Sequence, residues 1–97
     1  MFSVSVLAFN PPARSGDLRS LQSISAQCLR AFVLPDCQRA LVMAETLQRS
    51  ASSREAFPCQ TLLLGLQADL IMQQLGEGRG ASALKDLQAT IRGCTGL

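Results

Sequence analysis

Four cysteines, Cys28, Cys37, Cys59 and Cys94, carry the richest chemistry in this 97-residue chain, which contains no histidine. Without histidine there is no Ser-His-Asp or Cys-His arrangement to activate a nucleophile, and the commonest metal ligand is missing. Successive cysteines stand 9, 22 and 35 positions apart, so none forms the short-spaced ligand pair that a zinc site needs. An even count permits two disulfides in three connectivities. Against that, residues 1–9 have no basic start, and Asn10-Pro11-Pro12 cuts their apolar run short, so no secretion signal is recognisable. Cys28, Cys37 and Cys59 fall on apolar helix faces. These features favour buried free thiols in a reducing cytoplasm.

Two short matches to chemical motifs lack their context. Ser82-Ala83-Leu84-Lys85 has the Ser-x-x-Lys form of some acyl-transfer nucleophiles, but that motif works with further blocks in a far larger fold. Gly76, Gly78 and Gly80 resemble a phosphate cradle, yet no strand precedes them and no Gly-Lys-Ser/Thr follows. The 7 carboxylates are dispersed. Asp69 alone is closely flanked by apolar residues, and helical spacing sets it toward solvent beside Gln73. No catalytic residue, metal ligand or cofactor site emerges.

The elements that would position any site are helical. Asp17 is suited to cap a first helix by accepting hydrogen bonds from free backbone donors. Leu18, Leu21, Ile24, Cys28 and Phe32 then recur every three or four residues to about Leu34, where Pro35 ends the run. A second helix from Pro35 or Asp36 carries Cys37, Ala40, Leu41, Ala44 and Leu47 on one stripe. Residues 50–53 interrupt the pattern, with Ser52 and Glu55 spaced as a capping box. A third helix, from near Pro58 to about Leu75, is apolar over so wide an arc that it is expected at the centre of its bundle. Gly65 within it costs about 1 kcal/mol against alanine, which a close helix–helix approach would offset. The fourth runs from about Ala81 to Arg92 on Leu84, Leu87 and Ile91, and Gly93 ends it. Alternation of Phe2, Val4 and Val6 with serines suggests a short extended arm. The organisation is therefore all-α, about four helices as a small bundle or tetratricopeptide-like hairpins. Residues 1–16 form an N-terminal arm and loop, and residues 17–97 a single helical domain.

Composition narrows the function. Hydrophobic residues make up 47% of the chain and charged ones only 16%, against about 25% charged in ordinary domains. A chain of this size buries a modest share of its surface, so an apolar surplus calls for a covering partner. The formal charge is +2, and eight arginines and one lysine are scattered with no tryptophan or tyrosine. Nucleic-acid binding needs a concentrated basic footprint. No apolar run approaches the roughly 18 residues of a membrane span.

The segment from Arg39 to Arg49 (RALVMAETLQR), with Leu63-Leu64-Gly65, Leu75-Gly76 and Ala83-Leu84 after it, resembles the Ala-Leu-x-x-Ala-Glu-x-Leu pattern of tetratricopeptide-like helices. Within that class it is most similar to the needle-subunit chaperones of bacterial type III secretion systems. The likeness spans roughly residues 18–90 at the level of pattern. It implies a small cytoplasmic chaperone whose helices hold an amphipathic helix of a secreted, self-assembling partner, with a second small chaperone alongside. The physical mode would be helix-in-groove recognition without a covalent step. Apolar residues outside the inner stripes are the candidate partner-binding set: Val42, Met43, Leu64, Ile71 and Met72. The same five can equally be core. A homodimeric adaptor, or a small regulator that binds another protein, fits the same surplus of apolar surface.

Overall fold

The computed structural model describes the backbone of residues 15–97 and the side chains from Asp17 onward. The extended arm expected near the N-terminus lies outside the described residues. What is described is all-helical: α1 (Ser15–Ala31), α2 (Leu34–Ser53), α3 (Phe57–Gln74) and α4 (Ala81–Gly93).

Each helix buries the stripe that its apolar spacing dictates. Leu21, Ser25, Cys28 and Leu29 of α1 meet Cys37, Ala40, Ala44, Leu47 and Ala51 of α2 and Cys59, Leu63, Leu66 and Leu70 of α3. Alanine at three of the α2 positions keeps that helix close to its neighbours. Ala83, Leu87 and Thr90 of α4 complete the core. α2 packs on α1 and α3, α3 on α4, and α4 returns to α1. That last contact closes a ring of four, the arrangement of a bundle rather than of hairpins stacked in an open array. α3 touches all three other helices, in keeping with its expected central place, although its outer arc is left open.

The ends of the helices depart from the sequence expectations for local reasons. α1 stops at Ala31. Phe32 does not extend the inner stripe but turns into the left-handed region at φ +52°, and its N–H donates to the Cys28 carbonyl. Pro35 therefore lies inside the first turn of α2, where its missing N–H costs nothing. Asp17 lies in the first turn of α1 rather than at its cap. The serines after Gln48 do not break α2, which continues through Ser53. No capping box forms, because Ser52 is still helical and Glu55 takes φ +57° beyond the helix end. α3 closes on Gly76 at φ +78°, and the Glu77 N–H donates to the Met72 carbonyl. This is a glycine-terminated helix end.

The expectation of free thiols is overturned. Cys28 pairs with Cys37 and Cys59 with Cys94, and none of the described cysteines is free. The first bridge ties the last turn of α1 to the first turn of α2. The second ties the first turn of α3 to the end of α4, at the opposite end of the ring. A buried cysteine is as apolar in a disulfide as in a thiol, so helix faces alone could not tell the two apart.

Candidate functional site

The five candidate residues separate by helix. Val42 is 63% exposed. It lies two residues from both Ala40 and Ala44, about 200° around the helix, and so points away from the core. Met43 is partly buried and packs against the core cluster. Leu64, Ile71 and Met72 are exposed on α3. The set thus contains one core-packed side chain, one outlier on α2, and three on a common surface.

That surface is larger than the sequence candidates suggested. Phe57 and Leu75 are also exposed, and with Leu64, Ile71 and Met72 they present between 36% and 69% of their areas to solvent. Phe57, Thr61, Leu64, Ala68, Ile71 and Leu75 are all exposed and are spaced alternately four and three residues apart. This is the spacing of a helix–helix seam. The buried residues Cys59, Leu63, Leu66 and Leu70 follow the same alternation two positions later, about 200° around the helix. α3 therefore bears two seams on nearly opposite faces. One is used within the chain and the other is open. The sequence signal was present, but two superposed seams make a helix look apolar all round.

The open face is electrically neutral. Of the residues of α3 only Asp69 ionises, and it is buried. Gln60, Gln67 and Gln74, each half-buried, flank the strip at seven-residue intervals. The Gln67 Nε2 has no hydrogen-bond partner among the described residues. Gly65 stands on the exposed side, and a Cβ built there would meet nothing within 4 Å. The close approach expected to offset its helix penalty is thus not supplied by the described residues.

Asp69 also departs from expectation. It is 2% exposed rather than facing solvent. An Arg79 terminal nitrogen on the α3–α4 turn donates to Asp69 Oδ1 at 2.9 Å and to Asp86 Oδ2 of α4 at 2.8 Å. Burial, and then a hydrogen bond shared with Asp86, raise the Asp69 pKa, while Arg79 opposes the rise. Asp86 is lowered, first by its hydrogen bond with Asp69; burial opposes the shift, and Arg79 adds to it. Asp69 Oδ2 is buried and meets no hydrogen-bond partner among the described residues. The Thr90 hydroxyl adds a polar link, lying 2.7 Å from the Asp86 carbonyl and 3.2 Å from that of Leu62 on α3. The cluster locks α4 to α3. It lies on the α4 side of α3, whereas the open strip lies on the other side of Met72.

Elsewhere, a crevice of about 430 Å³ opens between the start of α1 and the residues after α4, with Leu18, Ile91 and Leu97 as its apolar walls and Arg19 as its one ionisable side chain. Among the described residues, no group of three or more His, Cys, Asp or Glu is placed to hold a metal ion. No described helix is long and apolar enough to cross a membrane. No protein-family model matches the chain, and no curated protein or solved structure shows significant similarity to it.

Proposed function

We propose that this chain is a non-catalytic protein-binding module that docks an apolar helix on the outer face of α3. The single observation that carries the reading is the open seam. Phe57, Leu64, Ile71 and Leu75 are large, exposed and in helix-pairing register on a bundle whose core is otherwise closed. Leaving such a strip in water is unfavourable by about 25 cal/mol per Å² of apolar area, and a seam of this spacing is covered best by another helix. Met72 at its edge suits variable partners, because a thioether adapts its shape.

The likeness to needle-subunit chaperones supports the same kind of occupant, an amphipathic helix that would otherwise self-assemble. The paired cysteines bear on where this happens. Disulfides persist in oxidising compartments and are rare in the reducing cytoplasm. The proposal therefore favours a holdase-like or adaptor role in an oxidising compartment over the cytoplasmic location expected of that family. The closed ring likewise favours a convex helix face over a concave groove.

The test is direct titration with a labelled, leucine-rich amphipathic helical peptide with uncharged flanks, at a chain concentration low enough to avoid self-association. Binding that falls at least about tenfold, or 1.4 kcal/mol, in Leu64→Glu/Ile71→Glu supports the proposal. Absence of binding, or equal binding by the double variant, rejects it.

A further inference from the structure

We infer that the outer face of α3 pairs with the same face of a second copy of this chain, antiparallel, about a two-fold axis near Leu66. The inference rests on the reading of that face as a helix-docking surface and names one occupant for it.

The first argument is shape. In an antiparallel seam each residue of one sub-row faces a residue of the other. Setting Phe57 against Leu75 of the second copy puts Leu64 opposite Ala68 and Ile71 opposite Thr61. Large thus meets small at both inner layers, and each pairing occurs twice by symmetry. An interface that meets itself this way is isologous and closes at two copies. Gly65 falls beside the axis and faces its own mate. The open space above its Cα lets the two backbones approach there.

The second argument is charge. Charged residues flanking a seam are what ordinarily select or reject partners. Here the flanking row is Gln60, Gln67 and Gln74, and the other edge is Pro58, Gly65 and Met72. Nothing on either edge repels a second copy, and nothing offers a charged partner an ion pair. Antiparallel pairing sets Gln60 against Gln74 and Gln67 against itself. Side-chain amides both donate and accept, so such a row satisfies its own copy. The Gln67 Nε2 is buried without a partner among the described residues.

The third argument is area. The strip exposes on the order of 500 Å² of apolar surface, at the upper end of the largest patch on a typical monomer. Covered on both copies it amounts to on the order of 1,000 Å², where specific interfaces begin. A concentration-dependent dimer, rather than a permanent one, follows.

Light scattering across a concentration series reads the assembly directly. The expected mass rises toward twice that of the 10.4 kDa chain. Leu64→Glu keeps the single-chain mass at every concentration while circular dichroism shows its helix content unchanged. Gln67→Glu and Gln67→Lys each stay single, because position 67 meets itself, and mixing the two restores the doubled mass. That restoration is specific to the antiparallel register. A wild-type chain that stays single throughout overturns the inference, as does a dimer indifferent to Leu64→Glu, or one that both Gln67 variants form alone. If the chain stays single yet binds the amphipathic peptide in a Leu64-dependent way, the homotypic pairing fails and the proposed function stands. If it stays single and binds no peptide, both fail.

Discussion

On the inner face of α3, Cys59, Leu63, Leu66 and Leu70 are buried; on the outer face, Phe57, Leu64, Ile71 and Leu75 stand open to solvent. Spacing and residue type are nearly the same on the two sides. What differs is the neighbours. The inner seam meets α1, α2 and α4, and is clamped by the Cys59–Cys94 bridge at one end and the Asp69–Arg79–Asp86 cluster toward the other. Among the described residues, the outer seam is flanked by a row of glutamines on one edge and by Pro58, Gly65 and Met72 on the other. A 4–3 apolar spacing therefore specifies that a helix pairs, but not whether it pairs within its own chain.

The contrast breaks most visibly by truncation. Leu66→Ala on the inner face is expected to cost about 2–5 kcal/mol, because the closed core cannot collapse onto the vacated volume. Leu64→Ala, two residues away and exposed, is expected to shift the stability of the single chain by no more than about 0.5 kcal/mol, and to weaken helix docking instead. Urea unfolding at low chain concentration separates the two. Similar losses for both would mean that the outer strip is covered within the chain. The bridges sharpen the same contrast. Replacing Cys59 and Cys94 by alanine frees a 35-residue separation, and replacing Cys28 and Cys37 frees one of 9. Chain entropy alone then sets losses of about 4 and about 2.5 kcal/mol. The order reverses only if the short α1–α2 turn, rather than the α3–α4 clamp, holds the ring closed.

Much of this was legible in the residues. The inner stripes of α1, α2 and α4 follow from 3.6-residue periodicity, and the bounds of α3 and α4 fall within a residue of the sequence reading. What was illegible depended on residues distant in the chain. Asp69 looks like a solvent-facing residue until Arg79, on a turn ten residues later, folds back over it. The Cys28–Cys37 pairing sits where α1 ends at Ala31 and Phe32 takes a backbone conformation usually left to glycine, and the Cys59–Cys94 pairing joins helix ends 35 residues apart in the chain. Among the exposed apolar residues of α3, Leu64 and Ile71 are legible by elimination from the core. Phe57 falls one residue before the start that the sequence implies for α3, and Leu75 lies at the C-cap of a helix that reads as apolar nearly all round, so neither stands out. Met43 was included because its position lies off the α2 stripe, yet a bulky side chain there still reaches the core.

A smaller effect is expected at the α1–α2 turn. Phe32 holds φ +52°, a conformation that costs an L-residue with a Cβ roughly 1–2 kcal/mol, and its side chain is exposed. Phe32→Gly is expected to stabilise the chain by about 1 kcal/mol, less the added freedom of glycine in the unfolded state. In a thermal melt this is a rise of several degrees for a domain of this size. Docking on α3 should be unaffected. A loss of stability would mean that the Phe32 ring is packed against something that compensates for its backbone.

The smallest effect is electrostatic, and its sign distinguishes the two sides of α3 once more. Asp69 has its pKa raised in the folded state above the ordinary 3.8. Its bound proton therefore stabilises the fold fully at low pH, and that contribution is lost as pH rises through the folded value. Asp86 is shifted the other way. Its contribution is present above 3.8 and is lost as pH falls through its lowered value. Together they place the cluster's greatest stabilisation between the two folded values, with a decline on either side. Asp69→Asn keeps an acceptor for Arg79 and supplies an N–H to Asp86, as the protonated acid does. It is expected to flatten the decline on the alkaline side and leave the acid side in place, as read by melting temperature from acid to neutral pH. An unchanged alkaline slope would mean that Asp69 is ionised throughout, with Arg79 outweighing burial. The outer strip, with no ionisable group on it, should dock its helix equally well across the same range.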